Sequence, residues 1–271
     1  MDWTQSRAEA ARFVVLDESP STNTELAARA AAAQADDPEP DFSVLVTRSQ
    51  TAGRGRLGRT WVAPPGQTLA ISVLLRPVLP GGEPLELPHF GWLPLIAGVS
   101  MATAVESVLD PGRVGLKWPN DVQVDGLKVS GLLAELLPST GAVVIGAGLN
   151  LSIQAADLPT PSSTSLELSG ASLAGDELAD AVLATYLGTL RSIYTEFVRL
   201  GADVEGSGVH ELVSDRCSTI GQQVRVELPG ADDLLGTATG IDRAGRLIVR
   251  RSADGHESVV AAGDVVHLRL A

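Results

Sequence analysis

Lysine is nearly absent from this chain: Lys117 and Lys128 are the only two among 271 residues, against 18 arginines. Ammonium is a compact point donor and guanidinium a planar fork, so retaining two lysines in an arginine-rich chain singles out those positions. Cysteine occurs once, at Cys217, which excludes an intramolecular disulfide; with four scattered histidines it also excludes a cysteine-rich zinc site. A reducing cytoplasm is the expected location. Positive charge is in deficit, with a net charge of -13, which argues against a protein that tracks nucleic-acid phosphates. Long apolar runs are missing too. The stretch between Glu86 and Glu106 contains Pro88, His89, Pro94, Ser100 and Thr103 and falls short of the ~20 predominantly apolar residues of a membrane span. A buried helix over about residues 94–109, with proline first, is expected there. The opening MDWTQSRAEA lacks the basic-then-apolar pattern of a secretory signal.

What is present is a composition 44% hydrophobic and 20% charged, sufficient for a sizeable core in one large or two unequal domains. Residues 13–16 read as a strand. Ser21 to Glu25 read as a helix start, with Thr22 and Glu25 at capping-box spacing before an alanine-rich run to about residue 35. Residues 36–41 read as a loop, 43–48 and 68–75 as strands, and 53–59 as a glycine/arginine loop. DVQVDGLKVSGLLAELL reads as a hairpin turning at Asp125-Gly126, a dipeptide that tolerates positive φ. Residues 142–148 form a further strand, 155–165 a mobile Pro/Ser/Thr-rich loop, and 176–200 and 204–214 helices. After Cys217 come short alternating runs at 224–228, 247–249 and 265–267, with turns at Pro229-Gly230, Ala244-Gly245 and Asp254-Gly255. These predict a β-barrel of about fifty residues, and the chain divides into 1–217 and 218–271.

Four segments carry chemistry. In GRGRLGRTW, Gly53, Gly55 and Gly58 fit the G-x-G-x-x-G dinucleotide pattern. A Rossmann loop, however, opens into a helix, which Trp61-Val62-Ala63-Pro64-Pro65-Gly66 cannot continue. The alternatives are a solvated turn or a loop whose arginines, Arg54, Arg56 and Arg59, grip phosphate or carboxylate. In KWPNDV, Lys117, Asn120 and Asp121 could hold a nucleotide and Mg²⁺, which takes one or two carboxylates plus phosphate oxygens; the alternative is an exposed turn closing a strand. In KVSG, Lys128 is either an edge charge or a second ammonium donor across the hairpin from Lys117. GAGLN, residues 146–150, reads as core packing.

Taken in order, STN at residues 21–23, Gln50, GRGRLGRTW, KWPNDV, KVSGLLAE and GAGLN resemble the biotin-protein ligases over residues 13–151. The β-rich end is similar to that family's SH3-like module. The resemblance implies an α+β fold, a class II synthetase-like biotin/lipoate ligase domain with a mixed sheet flanked by helices, then an SH3-like barrel. It implies an enzyme that uses ATP and Mg²⁺ to convert biotin to biotinyl-5′-AMP, then acylates a lysine of the biotin carboxyl carrier domain of an acyl-CoA carboxylase such as acetyl-CoA carboxylase. About twelve residues precede the first strand, so the form without a DNA-binding domain is expected: no repressor function, no nucleic acid or membrane partner, and a monomer or homodimer.

By the same resemblance, Ser21, Thr22, Asn23, Gln50, Gly53, Arg54, Gly55, Arg56, Lys128 and Gly131 surround biotin. Arg56, Arg59, Trp61, Lys117, Asn120, Asp121, Lys128 and Asn150 serve ATP, and Asp121 is the candidate Mg²⁺ ligand. Lys128, Arg56, Lys117 and Asp121 carry the catalytic roles. The chemistry agrees: a carboxylate attacking a phosphate needs cations aimed at the developing oxyanion charge and no enzyme nucleophile. A loop closing on the labile anhydride keeps water away. A lipoyl ligase and a non-enzymatic nucleotide- or protein-binding module are the competing readings.

Overall fold

The computed structural model describes residues 2–33, 37–228, 232–261 and 263–268. In chain order come α1 (Thr4–Ala8), β1 (Arg12–Leu16), α2 (Thr22–Ala32), β2 (Ser43–Thr47), β3 (Gly53–Arg54), β4 (Thr60–Trp61), β5 (Thr68–Leu75), α3 (Trp92–Glu106), β6 (Val114–Lys117), β7 (Asp121–Val124), β8 (Leu127–Leu137), β9 (Ala142–Asn150), α4 (Gly175–Arg199) and α5 (Val209–Arg216). Then follow β10 (Gln223–Glu227), β11 (Leu234–Ile241), β12 (Leu247–Arg251), β13 (Glu257–Val260) and β14 (Asp264–His267).

The first sheet is mixed, ordered β1-β2-β5-β9-β8-β7-β6, with β1 and β2 parallel and the other pairs antiparallel. Helix α2 covers part of one face, where Leu26 and Ala30 meet Leu45, Leu74 and Val144. The opposite face is covered by α3 and α4. Helix α3 is apolar on all sides because it lies between the sheet and α4, and it buries every residue except Pro94, Thr103 and Glu106. Helix α4 presents a stripe of Leu178, Val182, Leu183, Tyr186, Leu190, Tyr194 and Phe197 at helical spacing. The second sheet is antiparallel, ordered β13-β12-β11-β10-β14. Its β11–β12 turn is docked on the first unit by two indole N–H donors, Trp92 to the Arg243 carbonyl (2.8 Å) and Trp118 to the Gly245 carbonyl (3.0 Å). No helix among the described residues is long and apolar enough to cross a membrane.

The α+β class, the buried α3 and the Asp125-Gly126 hairpin agree with the sequence reading; both turn residues have positive φ, 49° and 78°. Other expectations are corrected. Helix α3 starts at Trp92, so Pro94 sits inside its first turn, where its missing N–H is not needed. Ser21 rather than Thr22 caps α2, accepting from the Thr24 N–H, and Glu25 instead pairs with Arg29 one turn on. Of the segment expected as a loop, Gly53–Arg54 is strand and pairs with Thr60–Trp61 as a short ribbon, while residues 55–59 form the connecting tip. Helix α5 begins five residues later than expected, after Gly208 in the left-handed region, and α1 was not anticipated. The 155–165 segment is tied down: Ser163, Thr164 and Ser165 are buried, and Lys128 exchanges backbone hydrogen bonds of 2.8 Å with Ser162 and Thr164. The expected helix end at Ala35, the start of the loop at Asp36 and the Pro229-Gly230 turn lie outside the described residues.

Candidate active site

Register across β5, β9 and β8 sets three cross-strand rows on the α2 face of the sheet: Ala70–Gly148–Gly131, Ser72–Gly146–Leu133 and Leu74–Val144–Glu135. The third row is covered by α2. Over the other two, glycine removes the side chains that would fill the space, and one large or polar group drops into each. The Trp61 indole lies on the first row, where a Cβ on Gly148 would stand 2.5 Å from its Cε2. The Asn23 side chain lies on the second, where a Cβ on Gly146 would stand 2.3 Å from its Oδ1. Ser72 Oγ donates to that Oδ1 (2.6 Å), and Asn23 Nδ2 donates to the Leu133 carbonyl (3.3 Å) and to Glu135 Oε2 (2.7 Å). Beside them, the first N–H of α2 donates to Gln50 Oε1 (2.9 Å), as does the Thr22 hydroxyl (3.2 Å). An open cavity of about 140 Å³ remains between these groups.

Lys128 reaches this cavity because of a bulge. Val122 pairs with Ser130 but Gln123 pairs with Lys128, leaving Val129 as an extra residue in β8. Regular alternation would send Lys128 and Gly131 to opposite faces; the bulge brings them together. A Cβ on Gly131 would stand 3.0 Å from Lys128 Nζ. The ammonium bonds Asp121 Oδ1 (2.7 Å) and lies 5.7 Å from the centroid of the Trp61 ring.

The β3–β4 ribbon forms the remaining wall. Its tip holds Leu57 and Gly58 in the left-handed region (φ 56° and 73°), and Gly53 allows close packing on Gln50 Nε2, 2.5 Å from where a Cβ would be. Its three arginines anchor on three different parts of the molecule. Arg54 pairs with Glu135 of β8 (2.8 Å), and Arg59 with Asp264 of the second sheet. Arg56 donates to neutral oxygens, Asn120 Oδ1 (2.9 Å) and the Gly263 carbonyl (3.4 Å). Burial lowers its pKa from the usual value, partly offset by the fields of Asp264 and Asp121. Asn120 is itself fixed by donating to the Leu132 carbonyl (2.8 Å). A half-buried guanidinium whose direct partners are neutral, next to an ammonium, is arranged to receive an anion.

The biotin/lipoate A/B protein ligase family matches residues 18–150, and the biotin protein ligase C terminal domain matches residues 219–268. Over 258 residues, 94% of this chain and 88% of the relative, the sequence is 38% identical to a biotin–[acetyl-CoA-carboxylase] ligase of Mycobacterium tuberculosis. The chain belongs to the biotin protein ligase family. A biotin protein ligase from Aquifex aeolicus, solved in complex with biotin and ATP, aligns with a TM-score of 0.68 at 26% identity over 96% of this chain and 100% of that one. The bifunctional ligase/repressor of Escherichia coli is 29% identical over 209 residues, 76% of this chain and 61% of that protein.

Most residues expected from the family resemblance meet at the cavity: Ser21, Thr22, Asn23, Gln50, Arg54, Gly55, Arg56, Arg59, Trp61, Asn120, Asp121, Lys128 and Gly131. Three stand apart from its lining. Gly53 packs behind it against Gln50 and the Trp61 carbonyl. Lys117 is opposite Asp121 in the β6–β7 register, and its charge acts on His267. Asn150 is buried at 2% exposure and donates to the Thr164 carbonyl (2.9 Å), next to the backbone that grips Lys128. Sequence reasoning missed Gly146, Gly148, Ala70, Leu133 and Asp264, all lining residues in this biotin protein ligase family member. The glycines at 146 and 148, two apart on a strand and so on one face, were the available signal.

Proposed function

We propose that this protein is an ATP-dependent ligase that activates biotin as biotinyl-5′-AMP and transfers the biotinyl group to a lysine of a carboxylase carrier domain. The observation that carries the reading is the polarity of the cavity. One end offers fixed neutral hydrogen-bonding groups, Ser21, Thr22 and Gln50; the other gathers Lys128, paired with Asp121, and Arg56, whose direct partners are neutral oxygens. Biotin has the matching polarity, with a neutral cyclic urea at one end and a carboxylate at the other.

In the first step a carboxylate oxygen of biotin forms a bond to the α-phosphorus of ATP, and the bond to the bridging oxygen breaks with loss of pyrophosphate. Lys128, released from Asp121, faces the biotin carboxylate and the α-phosphate, reduces their mutual repulsion and stabilises charge on the phosphoryl oxygens. Arg56 and the ribbon close over the anhydride and exclude water. The Trp61 Nε1 donor is buried with no acceptor among the described residues and is available to a ligand oxygen or nitrogen. Asp121, a carboxylate in the cavity lining, would hold Mg²⁺, which would offset phosphate charge. In the second step a neutral lysine amine attacks the acyl carbon, an amide forms, AMP leaves, and the amine proton is lost to solvent. Incubation with ATP, biotin and an apo carrier domain should add one biotinyl group to that domain by mass spectrometry. An unmodified carrier with folded protein contradicts the reading.

A further inference from the structure

The Arg54 anchor differs from the other two. Arg59 reaches the second sheet and Arg56 the β6–β7 turn, whereas Arg54 ends on Glu135, and Glu135 Oε2 is also the acceptor for Asn23. The carboxylate therefore joins the root of the ribbon to the wall in which Ser21, Thr22 and Asn23 stand. Asn23 cannot turn freely: its oxygen accepts from Ser72, and Gly146 leaves just enough room for the side chain. The chain of contacts runs Ser72, Asn23, Glu135, Arg54, then the ribbon bearing Arg56 and Trp61. Glu135 occupies the third cross-strand row, outside the cavity lining. Its side chain is 30% exposed and that of Arg54 47% exposed, a setting in which an ion pair adds little to global stability. What the pair supplies is position.

We propose that Glu135 is a positioning residue for acid binding: it holds the glycine/arginine ribbon against the α2 wall, so that the closing loop and the groups that grip the acid's neutral end keep one spacing. It also neutralises Arg54, which leaves Arg56, whose direct partners are neutral oxygens, as the cation that receives the carboxylate beside the Lys128–Asp121 pair. The proposal rests on the biotin reading of the cavity, but the tether itself is a property of the protein without ligand.

The test compares Glu135→Ala, Glu135→Gln, Arg54→Ala and the Glu135→Ala/Arg54→Ala double variant in the full chain. Limited trypsin digestion reads the tether directly, because the ribbon carries Arg54, Arg56 and Arg59. Glu135→Ala should speed cleavage in the ribbon about tenfold and raise KM for biotin in pyrophosphate exchange about tenfold, as expected for losing an acceptor shared by two donors, with kcat far less affected. Glu135→Gln keeps an acceptor oxygen of the same shape and should lie between Glu135→Ala and the unchanged protein on both readouts. The double variant should be no worse in KM than the poorer single one. Unchanged ribbon cleavage and KM in Glu135→Ala, or single effects that multiply in the double variant, would overturn the proposal. Should Glu135→Ala not fold, Glu135→Gln indistinguishable from the unchanged protein would do the same. If the unchanged protein shows no biotin-dependent exchange, the functional reading fails, while the trypsin result still decides whether the tether exists.

Discussion

Replacing Lys128 by arginine preserves the charge and removes the geometry. Three groups bound the site: Asp121 Oδ1 at 2.7 Å, the Trp61 ring centroid at 5.7 Å, and the α-carbon of Gly131, whose missing Cβ would stand 3.0 Å from the ammonium. A guanidinium is wider than an ammonium and matches a carboxylate with two parallel bonds. At this position its fork would grip Asp121 at both oxygens and stay there, so the cation would not be delivered to the phosphoryl oxygens. Losing one preorganised oxyanion donor costs roughly 10²–10³ in kcat, about 2.7–4 kcal/mol. The Lys128–Asp121 pair is partly exposed, 32% and 22%, so its share of folding stability is at most about 1 kcal/mol and the melting temperature should move by no more than about 4 °C. Lys128→Arg is therefore expected to lose adenylation, read by pyrophosphate exchange, while melting almost normally. Near-normal exchange by this variant would refute the geometric argument.

Arg56→Ala should release the adenylate about tenfold faster, since a hydrogen-bonded guanidinium over the anhydride is lost; a chase of labelled adenylate measures this, and an unchanged rate counts against loop closure. Gly148→Ala places a methyl group 2.5 Å from Trp61 Cε2, so the indole must leave its row at a cost of about 1–3 kcal/mol. Calorimetry should then show weakened biotin binding, and unaltered binding would contradict the packing account. His267 titrates below its usual value because it is buried and because Lys117 is nearby. The unfolded chain, with a histidine pKa of about 6.5, then binds the proton more readily than the folded one. Stability from this group is complete above about pH 6.5 and is lost as pH falls through the depressed folded value. The melting temperature should drop less steeply between pH 7 and pH 5 in His267→Gln, and parallel curves would contradict this.

Much of the site was legible because its motifs are short and local. Asp125-Gly126 announces its turn through positive φ, and GRGRLGRTW, KWPNDV and KVSG each deliver side chains directly to the cavity. What escaped depends on register between distant segments. Gly148 pairs with Gly131 and Ala70, so three small residues from three strands make one floor, and no one segment discloses it. The bulge at Val129 that turns Lys128 toward Gly131 depends on how β7 and β8 align. The residues 162–164 read as part of a mobile loop because Ser, Thr and Pro carry no apolar period; their order comes from backbone bonds to Lys128 and from Asn150. Asp264 belongs to the second sheet and meets Arg59 across more than two hundred residues of chain. Lys117 and Lys128, alike in composition, take different places: one acts on His267 and the other lines the cavity.

Activation of the biotin carboxylate on ATP is the step for which this cavity is arranged. Exchange of labelled pyrophosphate into ATP tests it without any carrier protein. Exchange should require biotin, should not be supported by lipoate or octanoate, and should fall by roughly 10²–10³ in Lys128→Arg. Exchange absent from folded protein, or supported equally by lipoate, would contradict it.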